Sequence, residues 1–405
     1  MRFFDLLSGV FRRSAGAGAR TYVWGDLPLV EIDGSGIPIK VTPAAAQACG
    51  AVYSCVRLLS DSIAQLPCEL RRRDGASNYP DTENPLYSVL NIEPFPSISS
   101  FTFWQWMISS MLLRGFCLAN VIRDLSGRVR RLYPVHPSRV IQIEMASDGT
   151  LVFQVEKRDG QISRYPQAEC FYVPYALGRD ITRPIGPLHC AGRSVALANT
   201  AETYMLQNVK NNGKPNGYWK KDGLLSEEAY KRLKADLQNF TSGEAAAGST
   251  PLVEEGLEFK PVALSAVDLQ MIEQRRYTVA DICGRFGVPP HKIGDTSQAK
   301  GWSTLEQQQT EFVTEALAPL CIRVEKEIRR QLIAPEDRDR LYAKFKFNAL
   351  LRGDTNSRAN FYQKMWQLGV MSVNEIRELE DMNPIPNGDI YYRPLNYAPD
   401  GESNE

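Results

Sequence analysis

Apolar and polar positions in the first half of the chain follow two periods, and these predict different elements. Between Thr42 and Pro67 the apolar residues recur at spacings of three and four, the period of a helix with one buried face. Threonine followed by Pro43 suits the N-cap and the first helical position, and Pro67 ends the pattern. A second helix is predicted from Ser99 and Ser100. Its predicted inward residues are Phe103, Trp106, Met107, Ser110 and Leu113.

From Cys117 to Val173 the pattern shortens to the alternation that is typical of strands. Val140–Met145 and Leu151–Val155 are the clearest examples. The dipeptides Asp148-Gly149 and Asp159-Gly160 predict hairpin turns between strands. Helices followed by strands of this kind predict an α+β domain.

Two long helical patterns follow, from about His189 to Lys210 and from about Ala266 to Phe286. Small residues line the first one, and small side chains permit close helix packing. The segment between them predicts a β-α-β insert. Its short helix is capped by Ser226, and strand patterns fall within Leu252–Leu264.

The last part of the chain is mostly helical. Ser303-Thr-Leu-Glu306 is a capping box that starts a helix to about Leu332, with a kink expected at Pro319. Phe312, Ala316, Leu320, Val324, Ile328 and Leu332 share one face of it. A strand at Lys344–Leu350, helices at Asp354–Leu368 and Ser372–Leu379, and a loose tail rich in proline and acidic residues follow.

Charge and hydropathy narrow the function classes. The 405 residues carry 47 basic and 47 acidic side chains, and 43% of residues are hydrophobic. The hydrophobic content is enough to fill the cores of two or three domains. A tight nucleic-acid binder usually has an excess of basic residues, so the neutral charge argues against this class. The most apolar window, Phe103–Ile122, contains Gln105 and Arg114, which favours a buried core helix over a membrane span.

The sequence contains no pattern of catalytic chemistry. Eight scattered cysteines lack Cys-x-x-Cys spacing and predict buried, reduced thiols, while three distant histidines predict no metal site. A phosphate-binding loop and a Gly-x-Ser-x-Gly elbow are both absent. The acidic pairs Glu254-Glu255 and Glu380-Asp381 leave a metal-dependent enzyme open as an alternative, but a solvated surface is favoured. We expect no catalytic residue, no cofactor and no enzyme activity.

A second alternative is a DNA-binding regulator. Thr278–Ile293 places the small Cys283 and then Gly287 where a helix-turn-helix needs them. Its recognition helix would begin at Pro289-Pro290 and meet Gly294 within about one turn, which is too short to read a major groove. A helix that ends in a loop is the favoured interpretation.

Blocks spread over about 45–390, nearly the whole chain, together resemble the HK97-type phage portal family. They occur in that family's order, and they are Val52–Pro67, Asn84–Asn91, Gly115–Asn120, Leu132–His136, Asn208–Gly217, Glu254–Phe259, Phe286–Pro290, Leu351–Asp354 and Gly369–Arg377.

The resemblance implies a portal fold of the α+β class, with an α/β wing, a two-helix stem, a β-α-β clip and a helical crown. The implied divisions are a flexible arm at 1–40, wing at 41–188 and 304–347, stem helices at 189–212 and 265–290, clip at 213–264, tunnel loop at 291–303, crown at 348–390 and tail at 391–405.

The resemblance also implies a function and partners. The protein would form a dodecameric ring at one capsid vertex of a tailed bacteriophage or prophage, a channel for DNA packaging and ejection. It would be assembled in the host cytoplasm and reside in the virion, without contacting a membrane. The implied partners are further copies of the chain, the terminase large subunit, the major capsid protein, head-completion or neck proteins, and double-stranded DNA that passes non-specifically.

Two sets of residues are implied as sites. The tunnel loop would face DNA through Asp295, Thr296, Ser297, Gln298 and Lys300. The clip would dock partners through Tyr218, Trp219, Glu227, Glu228 and Lys231.

Overall fold

The computed structural model describes residues 41–75, 77–210, 217–221, 227–228, 231, 257–261, 266–294, 305–347, 355–380 and 382–391. The chain divides into two compact units. The first comprises Met1–Gly301 and Glu315–Phe345, and the second Trp302–Thr314 and Lys346–Glu405. The predicted arm at 1–40 and most of the predicted tail lie outside the described residues.

Helices alternate with short strands in the described part of the first unit. Its helices are α1 (Pro43–Ala48), α2 (Gly50–Ala64), α3 (Pro85–Asn91), α4 (Ser100–Arg114), α5 (Pro187–Lys210), α6 (Ala266–Phe286) and, after α7 (Leu305–Glu311) of the second unit, α8 (Ala318–Gln331). Its strands are β1 (Cys68–Asp74), β2 (Ser77–Pro80), β3 (Phe116–Arg123), β4 (Val129–Val135), β5 (Val140–Met145), β6 (Leu151–Glu156), β7 (Ile162–Pro166), β8 (Cys170–Pro174), β9 (Ala176–Leu177), β10 (Pro184–Ile185), β11 (Gly217–Lys221), β12 (Leu257–Pro261) and β13 (Leu341–Phe345).

The first predicted helix is two helices. Thr42 caps α1 by accepting the Ala45 N–H at 3.1 Å, as predicted. The chain then breaks at Cys49, whose φ of −72° and ψ of 117° are extended. Gly50 follows immediately, and glycine has the lowest helix propensity after proline. The prediction of one unbroken helix was therefore wrong at this position.

Helix α4 forms the centre of the core with α2 and β3. Trp104 is 2% exposed, and its Nε1–H donates to the Leu90 carbonyl at 3.0 Å. Its ring makes an edge contact with Phe345 at 5.6 Å between centroids. The predicted inward set omitted Trp104 and included Trp106, which is only partly buried against His136.

Three antiparallel three-stranded sheets surround this core, in the orders β4-β3-β8, β5-β6-β7 and β13-β1-β2. The two predicted hairpin turns are confirmed, since Asp148 and Asp159 each accept the N–H of the residue two positions later, at 2.9 and 3.0 Å. The predicted strand at 344–350 was misplaced. Strand β13 lies at Leu341–Phe345, where it pairs with β1 from Cys68 opposite Phe345.

The helix predicted from Ser303 to Leu332 is interrupted. Helix α7 spans Leu305–Glu311, a π-helix spans Phe312–Leu317, and α8 begins at Ala318 with Pro319 in its first turn. The interruption lies directly ahead of Pro319, which has no N–H to donate, so the regular hydrogen bonding of the helix is lost where a kink was predicted. The six predicted inward residues of this helix are all buried, and Ser303 lies outside the described residues.

The second unit contains α7 and a helical pair, α9 (Thr355–Gln367) and α10 (Val373–Leu379). Ser372 and Glu375 form a reciprocal capping box on α10. Glu380 pairs with Arg358 at 3.5 Å and accepts the Tyr362 hydroxyl at 2.6 Å, so it is not simply solvated. Asp381 lies outside the described residues.

The segment after α10 is held in place, contrary to the prediction of a loose tail from Pro384 onward. The Asn374 side chain accepts the Ile385 N–H at 2.8 Å and donates to Asp389 at 2.9 Å. Its backbone N–H donates to the Gly388 carbonyl at 2.9 Å. One asparagine therefore fixes the chain up to Asp389.

The cysteines depart from the prediction at one position. All eight are free thiols, but Cys190 is exposed while the other seven are buried. Within the described part of the chain, no group of His, Cys, Asp and Glu residues is suited to a metal ion. None of the described helices is long and apolar enough to cross a membrane.

Candidate channel and docking site

The two long helices α5 and α6 form an antiparallel pair. Ser194 of α5 donates its hydroxyl to Asp281 of α6. One turn earlier on α5 and one turn later on α6, Arg285 donates to the Cys190 carbonyl at 3.2 Å. This opposite progression shows the antiparallel register, and it continues in the strand pair β11–β12 beyond the helices.

Asp281 is the polar centre of the helix pair. It accepts from Ser194 and pairs with Arg285 at 3.4 Å. The Asp281 side chain is 25% exposed, so its bonds are only partly open to water. The spacing of four residues between Asp281 and Arg285 is visible in the sequence, whereas the partnership with Ser194 is not.

Apolar packing fixes one end of the helix pair, which we call the base. On α5 it contains Leu188, Ala191 and Val195, and on α6 Ile282 and Cys283, all of them 0% exposed. Small Ala191 is buried at the base, as expected for close helix packing.

The first two helices of the chain hold the base. The Cys283 sulfur lies 3.9 Å from that of Cys55 on α2. The Asn199 amide donates to the Ala45 carbonyl of α1 at 3.1 Å. Each helix of the pair therefore has its own anchor near the N-terminal end of the described chain.

A close backbone contact between Gly186 and Gly115 lies at the start of α5. A Cβ added at Gly186 would lie 2.9 Å from the Cα and N of Gly115, and one added at Gly115 would lie 2.9 Å from the backbone of Gly186. Gly115 also has φ of +84°, which favours glycine. Next to this contact, the Gly186 N–H donates to Nδ1 of His189 at 3.0 Å. Burial lowers the pKa of His189, so the neutral ring accepts this bond.

The side of the helix pair that the rest of the chain leaves uncovered, which we call its outer part, exposes large apolar side chains. Leu197 is 45% exposed and Leu206 is 57% exposed on α5, while Tyr277 of α6 is 75% exposed. The helix pair is therefore buried at its base and apolar on its uncovered outer part.

At its C-terminal end, α6 leads toward the predicted tunnel loop through a tight turn. A four-residue 3-10 helix at Pro290–Ile293 ends at Gly294, whose φ is +95°. Nε2 of His291 is buried and has no hydrogen-bond partner among the described residues. A 3-10 helix this short cannot lie in a major groove as a recognition helix, so Thr278–Ile293 does not form a helix-turn-helix. The predicted channel residues Asp295, Thr296, Ser297, Gln298 and Lys300 lie outside the described residues.

The predicted docking residues lie on two described pieces. Tyr218 and Trp219 belong to β11, which pairs with β12 so that Trp219 stands opposite Phe259. Glu227, Glu228 and Lys231 are helical and exposed, and Lys231 pairs with Glu227 at 3.5 Å. Two strands with helical residues between them agree with the predicted β-α-β order.

Comparison with known proteins identifies the family. A sequence model described as "Phage portal protein" matches residues 50–381. The chain belongs to the phage portal protein family. It is 28% identical over 354 residues to the portal protein of Enterobacteria phage HK97, covering 86% of this chain and 82% of that protein. It is 29% identical over 376 residues to a probable portal protein of Streptomyces phage phiC31, covering 90% and 82%.

Solved structures share the fold of this portal family member. A chain of the virion of a native gene transfer agent particle has a TM-score of 0.59 at 19% identity, covering 93% of this chain and 99% of that one. A crystal structure of an HK97 family phage portal protein from Corynebacterium diphtheriae has a TM-score of 0.56 at 19% identity, covering 76% and 96%. These likenesses confirm the predicted α+β portal fold, and the family is structural rather than enzymatic.

Proposed function

We propose that the chain is the subunit of a dodecameric portal ring, with α5 and α6 as its stem. The observation that carries this proposal is the helix pair, which is fixed to its own subunit at the base and exposes Leu197, Leu206 and Tyr277 on its outer part. A ring closes through two different faces of each subunit, and exposed apolar side chains on a rigid stem suit such an interface.

The known relatives support the ring and its place in the particle. One structure with the same fold comes from the neck of a native gene transfer agent particle treated with C12 symmetry. By analogy, this chain occupies the neck vertex of a virion of a tailed bacteriophage or prophage and is assembled in the host cytoplasm. There the ring is a channel for DNA packaging and ejection.

The divisions of the subunit follow from this proposal. The wing comprises 41–188 and 304–347, the clip 213–264 and the crown 348–390. Formal net charge of zero supports a channel, because tight phosphate contacts on every subunit would hold the DNA that must pass.

The loop that starts at Gly294 is proposed to face the DNA. It contains one acid, Asp295, and one base, Lys300, within a polar sequence, so it can touch phosphates without holding them.

A photoreactive amino acid at Gln298 or Lys300 tests this contact with DNA in packaged particles, with the same group at Lys231 as the control. A cysteine-directed reagent would be unsuitable because Cys190 is exposed. Links to DNA from position 231 and none from 298 or 300 contradict the assignment.

The clip is proposed as the docking surface for the terminase large subunit and, later, for head-completion proteins, while the wing meets the major capsid protein. The two-stranded sheet β11–β12 has unpaired edges within the described residues, and Glu227, Glu228 and Lys231, which lie between the two strands in sequence, are exposed. Deleting Tyr218–Val262 should abolish motor binding in a pull-down while the wing still folds. A deleted protein that still supports DNA packaging contradicts this role.

The protein is also proposed to hydrolyse nothing itself. The missing phosphate-binding loop and the family's structural role support this. Any ATPase signal should disappear as the preparation approaches homogeneity, and activity that stays proportional to this chain contradicts the proposal.

A further inference from the structure

A cavity of about 420 Å³ lies between α8 and β13 in the first unit. Its lining is strongly cationic. Five lining side chains are basic, namely Arg73, Lys326, Arg329, Arg338 and Lys344, and two are acidic, Glu325 and Asp339. Neither the neutral net charge of the chain nor the portal function predicts such a cluster at this place.

The two acids do not neutralise the cavity. Asp339 lies 3.8 Å from Arg329, and Glu325 lies 3.6 Å from Lys344. Arg73, Lys326 and Arg338 have no carboxylate at ion-pair distance among the described residues. Three positive charges therefore remain uncompensated around one concave site.

Several of these cations are held in fixed positions. Arg338 donates to the carbonyls of Ile333 at 3.2 Å and of Arg330 at 2.6 Å, and Arg329 donates to the Arg338 carbonyl at 2.8 Å. The Arg73 guanidinium lies 5.7 Å from the centroid of the Tyr342 ring. Neutral carbonyls and a ring orient a cation without cancelling its charge, so the site is preorganised for an anion.

The shape and lining of the cavity decide between anions. Duplex DNA presents its phosphates along a convex rod, which suits flat or gently curved basic surfaces better than a concave site of this volume. The cavity also has apolar lining from Ile322, Ala343 and the Tyr342 ring. Its volume falls within the range of sites that hold a few side chains or a small ligand.

We propose that this cavity binds an acidic, partly apolar peptide segment of a partner protein. Carboxylates of the segment would pair with Lys326, Arg73 and Arg338, while an apolar side chain contacts Ile322 and Tyr342. The site lies apart from the proposed clip and tunnel loop in the sequence, so its occupancy does not depend on those assignments.

The test uses the full-length protein and a short fluorescein-labelled peptide of alternating Glu and Leu, with binding followed by fluorescence anisotropy. The variant combines Arg73→Gln and Lys326→Gln. The matched control combines Lys157→Gln and Arg158→Gln, which removes the same charges from an exposed turn. We expect the cavity variant to bind the peptide about tenfold more weakly and the control within about twofold of the wild type. Binding should also weaken as salt concentration rises.

Three results would overturn the proposal. The first is no peptide binding by the wild type, and the second is an equal loss in both variants. The third is binding of a duplex oligonucleotide, but not of the peptide, that the cavity variant alone loses, because this outcome makes the cavity a nucleic-acid site. All four substituted residues are exposed, so unchanged thermal unfolding of both variants verifies that a loss of binding is local.

Discussion

The base and the outer part of the helix pair α5–α6 differ in how their apolar surface is covered. At the base, Leu188, Val195 and Ile282 are 0% exposed and are covered by this chain itself. On the outer part, Tyr277 is 75% exposed and Leu206 is 57% exposed, although both belong to the same two helices.

This difference separates two kinds of stability. The base contributes to the folding of one subunit, because its contacts with α1 and α2 are made within the chain. The outer part gains from burial only when another molecule covers it. Substitutions at the base should therefore change the free energy of unfolding, and those on the outer part should change assembly.

The largest effect is expected at the start of α5. Gly186→Ala places a methyl group 2.9 Å from the Gly115 backbone, and backbone on both sides leaves little room to yield. We expect a loss of about 3 kcal/mol in the free energy of unfolding, measured by denaturant titration.

Gly284→Ala is the matched control for that substitution. A Cβ there meets nothing within 4 Å, and Gly284 lies inside helix α6. It should be neutral or raise stability by up to about 1 kcal/mol. Equal destabilisation by both alanines would show that the contact between Gly115 and Gly186 is not tight.

The second largest effect on stability is expected at Asp281, the polar centre of the helix pair. Asp281→Ala leaves Ser194 and Arg285 without their shared acceptor and should cost about 2 kcal/mol. Glu228→Ala, an exposed acid far from the base in sequence, should change stability by less than about 0.5 kcal/mol. A double-mutant cycle with Ser194→Ala measures the coupling directly, and additive costs would contradict the bond across the helix pair.

The stability that the base contributes should also depend on pH. Burial lowers the pKa of His189 below its unfolded value of about 6.5, so the folded state favours the neutral ring. The stability that this ring contributes is complete above about pH 6.5 and is lost as the pH falls toward the lower folded pKa. Thermal unfolding between pH 7 and pH 5 checks this.

His189→Asn keeps a side-chain acceptor for Gly186 but cannot titrate. The free energy of unfolding of this variant should fall less steeply with decreasing pH than that of the wild type, by at most about 1.4 kcal/mol per pH unit. Some slope should persist, because burial also lowers the pKa of His136. An unchanged slope in the Asn variant means that His189 is not the titrating group.

The smallest effect on the single subunit is expected in the outer part. Tyr277→Ser with Leu206→Ser removes exposed apolar surface, so unfolding of the subunit should change by less than about 0.5 kcal/mol. The population of rings, measured by native mass spectrometry, should fall strongly. Intact rings together with a destabilised subunit would show that the outer part contributes to folding of the subunit and not to assembly.

Local chemistry explains which elements were predictable. The cap at Thr42, the two Asp-Gly hairpins and the span Ala266–Phe286 depend on neighbours in sequence, and all are confirmed. The family resemblance, which depends on the order of many short blocks, is also confirmed.

Long-range partners explain the misses. The position of β13 is set by pairing with β1, which is far away in sequence. The segment after α10 is fixed by the Asn374 side chain, and Asp281 meets Ser194 only once α5 and α6 have packed. The cationic cavity combines Arg73 with residues more than two hundred positions later, so no local pattern contains it.

Electron microscopy of the purified full-length protein decides whether the subunits form a ring. We expect rings with a central hole, and class averages that show a dodecamer whose subunits meet along α5 and α6. Compact monomers or dimers at all protein concentrations tested would contradict the claim that the exposed outer part of the helix pair is a ring interface.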